Sequence, residues 1–212
     1  MRKKMKTWLV AVLSFHLILL LAACGEEVDS STEEEAPSEV ESSDEDTAEE
    51  EAGEETAGAE GVQTYTNDQF AFSVEYPGDW TLQEVNETML GFVSSRESED
   101  DPFMENVSVQ LNHLDGQSLS LEELTEILLA NVQNEVPDFE LTSSETVEAT
   151  DEAQPDVHYL EYTGTQGDLQ LAYEALLFIN NDRAFVFTYT AEMNNFNQYY
   201  EAYTQIIESL TF

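Results

Sequence analysis

The chain has a single cysteine, Cys24, in 212 residues. A disulfide within the chain is therefore excluded, and no covalent bridge helps to hold the fold. Cationic residues are almost as scarce, with six lysines and arginines against 46 acidic residues and a formal net charge of −40. Four of the six, Arg2, Lys3, Lys4 and Lys6, fall in the first six positions, and no lysine follows. A surface so poor in cations cannot neutralise phosphates, the term that supplies most nucleic-acid affinity, and anionic lipid head groups repel it. Nucleic acid and charged membrane surfaces are both disfavoured partners. Long apolar runs are also lacking. The one candidate, Trp8 to Ala23, is sixteen residues long and interrupted by Ser14 and His16, whereas a bilayer-spanning helix needs about 20 mainly apolar residues. Catalytic patterns are missing too: there is no Gly-x-Ser-x-Gly elbow, no His-Glu-x-x-His, no phosphate-cradling glycine loop and no EF-hand loop.

What the N-terminus does contain is a cationic start, a short apolar run and small residues before a cysteine, the layout of a secretory signal. Leu21-Ala22-Ala23-Cys24 resembles the bacterial lipobox. That resemblance implies a signal peptide over residues 1–23 and lipidation of Cys24 with diacylglyceryl and palmitate-type chains. It also implies a site on the extracytoplasmic face of the cell membrane. One acyl chain binds membranes only marginally, so the two chains of a diacylglyceryl group supply the second signal that stable anchoring needs.

Residues 24–62 form the next segment: the lipidated cysteine and an acidic linker. From Gly25 to Val62 the composition is mainly Glu, Asp, Ser, Ala, Thr and Gly, with no aromatic residue. Such a segment cannot bury enough apolar surface to offset its ordering entropy and is expected to be disordered. As a neutral coil its 38 residues would span about 35 Å, and like charges extend it further. It reads as a spacer rather than a cation-binding tail.

Residues 63–212 hold ten phenylalanines, nine tyrosines and one tryptophan, ample apolar area for one domain. Phe70, Phe72, Val74 and Tyr76 alternate with Ala71, Ser73 and Glu75, which predicts a half-buried strand ending at Pro77-Gly78-Asp79. Trp80 and Leu82 restart the alternation. Further strands are expected over Met89 to Ser94, around Val107 to Leu111, and over Val157 to Thr163, Leu169 to Ile179 and Ala184 to Thr190. Short turns make the last three an antiparallel meander. Ser120 with Glu123 has the capping-box spacing and opens a helix carrying Leu121, Leu124, Ile127, Leu128 and Val132 until Pro137. A second helix runs from Asn195 to Leu210, with Phe196, Tyr199, Tyr203, Ile206, Ile207 and Leu210 on one stripe. Leu176 beside Leu177 and Val186 beside Phe187 are apolar on both faces of their strands, so both faces of the sheet need covering. The expected class is α+β, an antiparallel sheet flanked by helices.

The order of these elements resembles the PsbP-related family over roughly Thr64 to Phe212. The resemblance rests on Phe70-Ala71-Phe72-Ser73-Val74-Glu75-Tyr76-Pro77 followed by Trp80, on Ser120-Leu121-Glu122-Glu123, and on Phe185-Val186-Phe187-Thr188-Tyr189-Thr190-Ala191 before an aromatic helix. It implies an α/β/α sandwich, the fold shared with the Ran-binding Mog proteins and with small envelope lipoproteins. It also implies a binding or assembly role without catalysis. Photosystem-associated members dock through basic residues that this chain lacks, which argues against a photosystem role.

Four groups of residues carry candidate site chemistry. His158 and Glu161 are three apart, but on a strand they point to opposite faces and do not form a metal pair. His113 and Asp115 could share a face, yet a zinc site takes three or four ligands. Glu97, Glu99, Asp100 and Asp101 crowd one loop and could supply oxygen to Ca²⁺, which takes about 6–8 such ligands; a solvated loop is the plainer reading. Phe196, Tyr199, Tyr200 and Tyr203 could form an exposed docking patch, although most of them sit on the helix's apolar stripe and are expected to pack inward. No catalytic residue, metal site or cofactor is predicted. The expected function is that of a protein-binding or assembly lipoprotein that is not an enzyme, its partner unnamed by the sequence. The alternative is a small-ligand or cation-binding lipoprotein, which would show a concave pocket with convergent polar groups.

Cleavage before Cys24 would leave Arg96 and Arg183 against all 46 acidic residues, a formal charge of −44, and residues 63–212 carry the same two arginines against 29 acids. Self-repulsion on this scale destabilises a compact state, and salt relieves it by shortening the Debye length to about 3 Å at 1 M. A halophilic or alkaliphilic source is expected. Thermal melts across a salt series should show the melting temperature climbing steadily with ionic strength; a salt-independent midpoint would contradict the brine form of this expectation.

Overall fold

The computed structural model describes residues 61–151 and 154–212; Cys24, the lipobox and the acidic linker up to residue 60 lie outside them. In chain order the elements are β1 (Val62–Asn67), β2 (Phe72–Pro77), β3 (Thr81–Asn86), β4 (Met89–Val93) and β5 (Asn106–His113). They continue with α1 (Leu121–Glu135), β6 (Glu140–Val147), β7 (Val157–Gln166), β8 (Leu169–Asn180), β9 (Arg183–Glu192) and α2 (Phe196–Glu208). Strands β3 to β9 form one antiparallel sheet in the order β3-β4-β5-β9-β8-β7-β6, and β1 and β2 pair separately as a hairpin. The meander β7-β8-β9 is in register over its full length, Val157 to Phe178 and Leu177 to Val186 among the pairs.

Alternation along β8 and β9 assigns their side chains to two cores. Phe185, Phe187, Tyr189 and Ala191 of β9 join Leu176 and Phe178 of β8 beneath α2 and the hairpin, where Phe70, Phe72, Val74, Tyr76 and Trp80 close the layer. Ala184 and Val186 join Leu171, Tyr173, Ala175 and Leu177 on the opposite face, under Leu124, Leu128 and Val132 of α1. Each fully buried Leu, Val or Phe contributes roughly 1.5–3 kcal/mol relative to exposure, so the central strands are stabilised from both sides. The architecture is the α+β sandwich that the sequence predicts.

Helix α1 is the crossover that carries the chain from β5 to β6 at the far edge of the sheet. It starts at a complete capping box: the Glu123 N–H donates to Ser120 Oγ at 3.1 Å, and the Ser120 N–H donates to Glu123 Oε2 at 3.1 Å. Such a cap stabilises a helix by about 1 kcal/mol.

Two strands were not expected. β1 starts at Val62, where the acidic linker ends, and β6 has a pattern too polar to read, since seven of its eight residues are exposed at the sheet edge. The strand expected from Phe70 begins instead at Phe72. Phe70 lies in the hairpin turn, where its N–H donates to Asn67 Oδ1 at 2.9 Å and Ala71 takes a left-handed φ of 49°. The hairpin is pinned from its other side by the C-terminus, because Ser73 and Thr211 exchange two backbone hydrogen bonds of 3.0 Å.

At Gly164 the exit of α1 lies against the sheet. A Cβ there would stand 2.1 Å from Val136 Cγ1 and 2.9 Å from the Pro137 carbonyl oxygen. The neighbouring Thr165 N–H donates to that same carbonyl at 2.9 Å, so the backbone cannot easily retreat. Gly164→Ala should therefore lower the unfolding free energy by about 1–3 kcal/mol, the usual range for overpacking. Urea denaturation checks this, and an unchanged midpoint would show that the α1 exit is free to shift.

Candidate functional site

The side chains with unusual chemistry gather where α2 meets the sheet. Strand pleating places Glu174 on the same face as Leu176 and Phe178, between Glu161 of β7 and Tyr189 of β9. It is only 6% exposed. Glu105, just before β5, is 1% exposed and reaches the start of the same helix. Buried carboxylates are costly unless neutralised, paired or hydrogen-bonded, and here the donors are almost all neutral side chains of α2.

Asn195, at the helix N-cap, has helical backbone angles and does not cap with its side chain. Its amide donates instead to Glu105 Oε1 at 3.3 Å. One turn on, Tyr200 Oη donates to Glu174 Oε1 at 3.4 Å. Glu97, on the acidic loop, accepts from the Gln198 amide and from Tyr199 Oη at 2.9 Å. Tyr189 Oη, rising from β9, donates to the Phe196 carbonyl at 2.8 Å. The first half of α2 is thus held to the rest of the domain by Asn195, Gln198, Tyr199 and Tyr200 donating to three carboxylates and by Tyr189 donating to the helix backbone. Tyr203, 2% exposed, also brings its hydroxyl to the Glu174 carboxyl, a contact that favours the charged form.

Burial pushes the Glu174 carboxyl above the ordinary carboxylate range; the hydroxyls of Tyr200 and Tyr203 pull it back, and the charge of Glu161 raises it. Burial likewise raises Glu105, opposed by its own backbone N–H and by Asn195 and reinforced by Asp101 and Glu192. The tyrosines respond in kind. Tyr200 is pushed up to about 12, chiefly by burial and then by the charge of Glu174, so it stays a donor at any physiological pH.

The residues singled out in the sequence are distributed differently. Tyr203 is core, and Phe196 and Tyr199 are half-buried, with Tyr199 edge-on to Trp80 at 6.3 Å, so the inward reading holds for them; Tyr200 is 38% exposed. In the acidic loop, Asp101 is engaged by the N–H groups of Glu97 and Phe103 at 3.0 and 3.1 Å, while Glu99 and Asp100 are exposed. β5 ends at His113, whose ring stacks on Phe70 at 4.4 Å, and Asp115 lies beyond in a left-handed turn, so the two share no strand face. His158 is buried and Glu161 exposed, on opposite faces as pleating requires. Among the described residues no group of three His, Cys, Asp or Glu side chains could hold a metal ion.

His158 has partners that the sequence did not suggest. Ser144 Oγ lies 3.0 Å from its Nε2 and Thr146 Oγ1 lies 2.7 Å from its Nδ1. Burial lowers its pKa, and the group behind the ring is a hydroxyl rather than the carboxylate that stabilises an imidazolium in Ser-His-Asp chemistry. The arrangement acts as a polar clamp between β6 and β7.

Glu105 and Glu174 were missed as site residues. The available signal was Glu174 itself, a lone charge inside Leu171-Ala172-Tyr173-Glu174-Ala175-Leu176-Leu177-Phe178, where an apolar strand would otherwise be uninterrupted.

The family model described as PsbP matches residues 60–212. The solution structure of cyanobacterial PsbP (CyanoP) from Synechocystis sp. PCC 6803 superposes with a TM-score of 0.54 at 17% identity, covering 76% of this chain and 98% of that one. PA94 of Pseudomonas aeruginosa, a protein of unknown function, gives 0.49 at 13% identity over 71% of this chain and 96% of its own. LpqN of Mycobacterium tuberculosis, involved in cell envelope biogenesis, gives 0.48 at 14% identity over 71% and 90%. No curated protein matches the sequence.

A carboxyl whose folded pKa is raised contributes stability that is fully present below its unfolded pKa and lost as pH rises through the folded value. Glu105 and Glu174 both have this sign. The groups facing Glu174 from β7 and α2, namely Glu161, Tyr159, Tyr200 and Tyr203, either add negative charge or remain neutral, so none reverses it. The unfolding free energy should rise as pH falls from neutrality towards the unfolded carboxylate range. Glu174→Gln, which keeps an acceptor for Tyr200, should be more stable than the parent at pH 7 and show a shallower rise. Chemical denaturation at a series of pH values measures this, and parallel curves for the two proteins would contradict it.

Proposed function

The chain belongs to the PsbP family, and from that membership we propose that it is a non-catalytic accessory lipoprotein. Cys24 anchors it to the extracytoplasmic face of the cell membrane, and the domain over residues 63–212 binds a protein partner or helps to assemble a membrane complex. The observation that carries this reading is the order of segments: a lipobox ending at Cys24, an acidic spacer, and then the family domain. An anchor joined to a folded module by a long charged spacer suits a protein that must reach something beside the membrane. Diffusible substrate would require neither.

The interior supports the accessory role. The buried carboxylates are engaged as struts beneath α2, and the buried histidine is bracketed by two hydroxyls, so these groups are committed to holding the domain together. Among the described residues no helix is long and apolar enough to cross a membrane, and the attachment proposed is the lipid. The domain's acidity points to a partner with a basic face, since complementary charge speeds encounter and suppresses wrong partners.

Two measurements test this. Cys24→Ser should abolish incorporation of radiolabelled palmitate and shift the protein from the membrane to the soluble fraction; retention of label would place the anchor elsewhere. Cross-linking of the lipidated protein in its native membrane, at native ionic strength, should capture a discrete partner at recurring positions on residues 63–212. Capture no greater than that of a lipid-anchored control would refute the accessory role.

A further inference from the structure

We propose that His158 is an acid-sensitive latch on the edge strand β6, and that protonation of its ring releases β6 from β7 while the rest of the domain stays folded. The latch stands on the geometry of the sheet edge and goes beyond the accessory role.

β6 is otherwise weakly held. It pairs with β7 alone, seven of its eight residues are exposed, and its ladder is broken by a register shift between Leu141 and Ser143. Neither apolar core takes a residue from it. Across the β6-β7 pair, two side-chain hydrogen bonds converge on one ring: Ser144 Oγ lies 3.0 Å from His158 Nε2 and Thr146 Oγ1 lies 2.7 Å from Nδ1. Thr146 is directly opposite His158 in register, and Ser144 is two residues before it on the same face.

A neutral imidazole suits this arrangement, because one nitrogen donates to a hydroxyl and the other accepts from the second. A protonated ring must donate from both nitrogens, so the hydroxyl that was donating has to turn its O–H out to water. Nothing beside the ring then balances the charge. His158 is 9% exposed and lies between Thr146 and its register partner on β8, Leu177. Glu145 of β6 and Glu161 of β7 point to the other face of the sheet. On the ring's own face, α1 turns Leu124, Leu128 and Val132 inward and keeps its four glutamates exposed. Of the described residues in the loop joining β6 to β7, Glu148, Asp151 and Asp156 are exposed, and Asp156 accepts from the Ala149 N–H at 2.8 Å. A buried cation without a partner is disfavoured; burial lowers the pKa of His158, and no carboxylate raises it.

A group whose folded pKa is depressed contributes stability that is present above its unfolded value and lost as pH falls through the folded one. The unfolded value for His158 is about 6.5, so the latch is closed at neutrality and opens below it. Glu105 and Glu174 have the opposite sign. Mild acidity therefore tightens the α2 interface and loosens β6. Since neither core includes β6, the ring reaches water through local release rather than global unfolding. β7 then becomes the edge of the sheet, with its outward N–H and C=O groups unpaired.

The test follows hydrogen exchange of the full-length lipidated protein in zwitterionic micelles between neutrality and about pH 5, above the range in which ordinary carboxylates titrate. Protection factors across residues 140–147 should fall by up to about tenfold per pH unit below about pH 6.5, the slope for one proton taken up on opening. Those of β8 and β9 should not fall. His158→Gln, which can still hydrogen-bond a hydroxyl but does not titrate, should abolish the dependence. His113→Gln, at the exposed end of β5, should leave it intact. NMR of ring-labelled histidine needs no variant: the His158 ring and the Ser144 and Thr146 amides should titrate together, with one midpoint below about 6.5. Unchanged protection of residues 140–147, an equal fall in His158→Gln or across β8 and β9, or amides that do not follow the ring would overturn the proposal.

Discussion

The β8-β9 pair is apolar on both faces, and the rest of the domain is arranged to satisfy that condition. A sheet of this kind cannot face water on either side. The chain meets the requirement twice with different material. On one face α1 crosses from β5 to β6 and lays Leu124, Leu128 and Val132 over Leu171, Leu177 and Val186. On the other, α2 and the β1-β2 hairpin jointly cover Phe178, Phe185, Phe187 and Tyr189. The C-terminal segment, bonded to Ser73, ties the hairpin in place. Chain connectivity follows from the same need, since the long crossover through α1 both reaches the far edge and supplies one of the two covers.

Charge is the second constraint, and it explains the choice of residues at the α2 interface. With two arginines in the domain, each donating to a backbone carbonyl, carboxylates near the core must draw on neutral donors. Tyrosine is well suited to this in a cation-poor chain: its ring adds apolar area while its hydroxyl donates without adding charge. Tyr199 and Tyr200 each do both, packing on Trp80 and Tyr189 respectively and donating to Glu97 and Glu174. Asn195 gives up its capping role for the same reason, because its amide serves Glu105.

This division also explains what could be read from the sequence. Elements with at least one apolar face were legible: the meander, β2 apart from its first residues, and both helices, α1 with its capping box. β6 was not, since an exposed edge strand has no buried face to impose a pattern and Glu140-Leu141-Thr142-Ser143-Ser144-Glu145-Thr146-Val147 is mostly polar. β1 sits where the acidic linker ends, and its half-buried Gln63, Tyr65 and Asn67 alternate only weakly. The candidate site was less legible still. Acidic residues clustered in sequence, as at Glu97 to Asp101, are visible there because they are adjacent. Glu105 and Glu174 are 69 positions apart and acquire their chemistry from burial under one helix, which only the tertiary structure brings about. Aromatic spacing did identify α2 and its inward stripe, though not that Tyr200 stands at its margin.

Burial acts on Glu174 through its charge. Desolvation and the charge of Glu161 oppose the ionised form, while the hydroxyls of Tyr200 and Tyr203 favour it, so the carboxyl is held above its ordinary range without losing its donors. A proton removes the cost of the buried charge, which stabilises the folded state towards mild acidity. Because those two donors belong to α2 and the carboxyl to β8, the charge of Glu174 acts directly on the contact between helix and sheet.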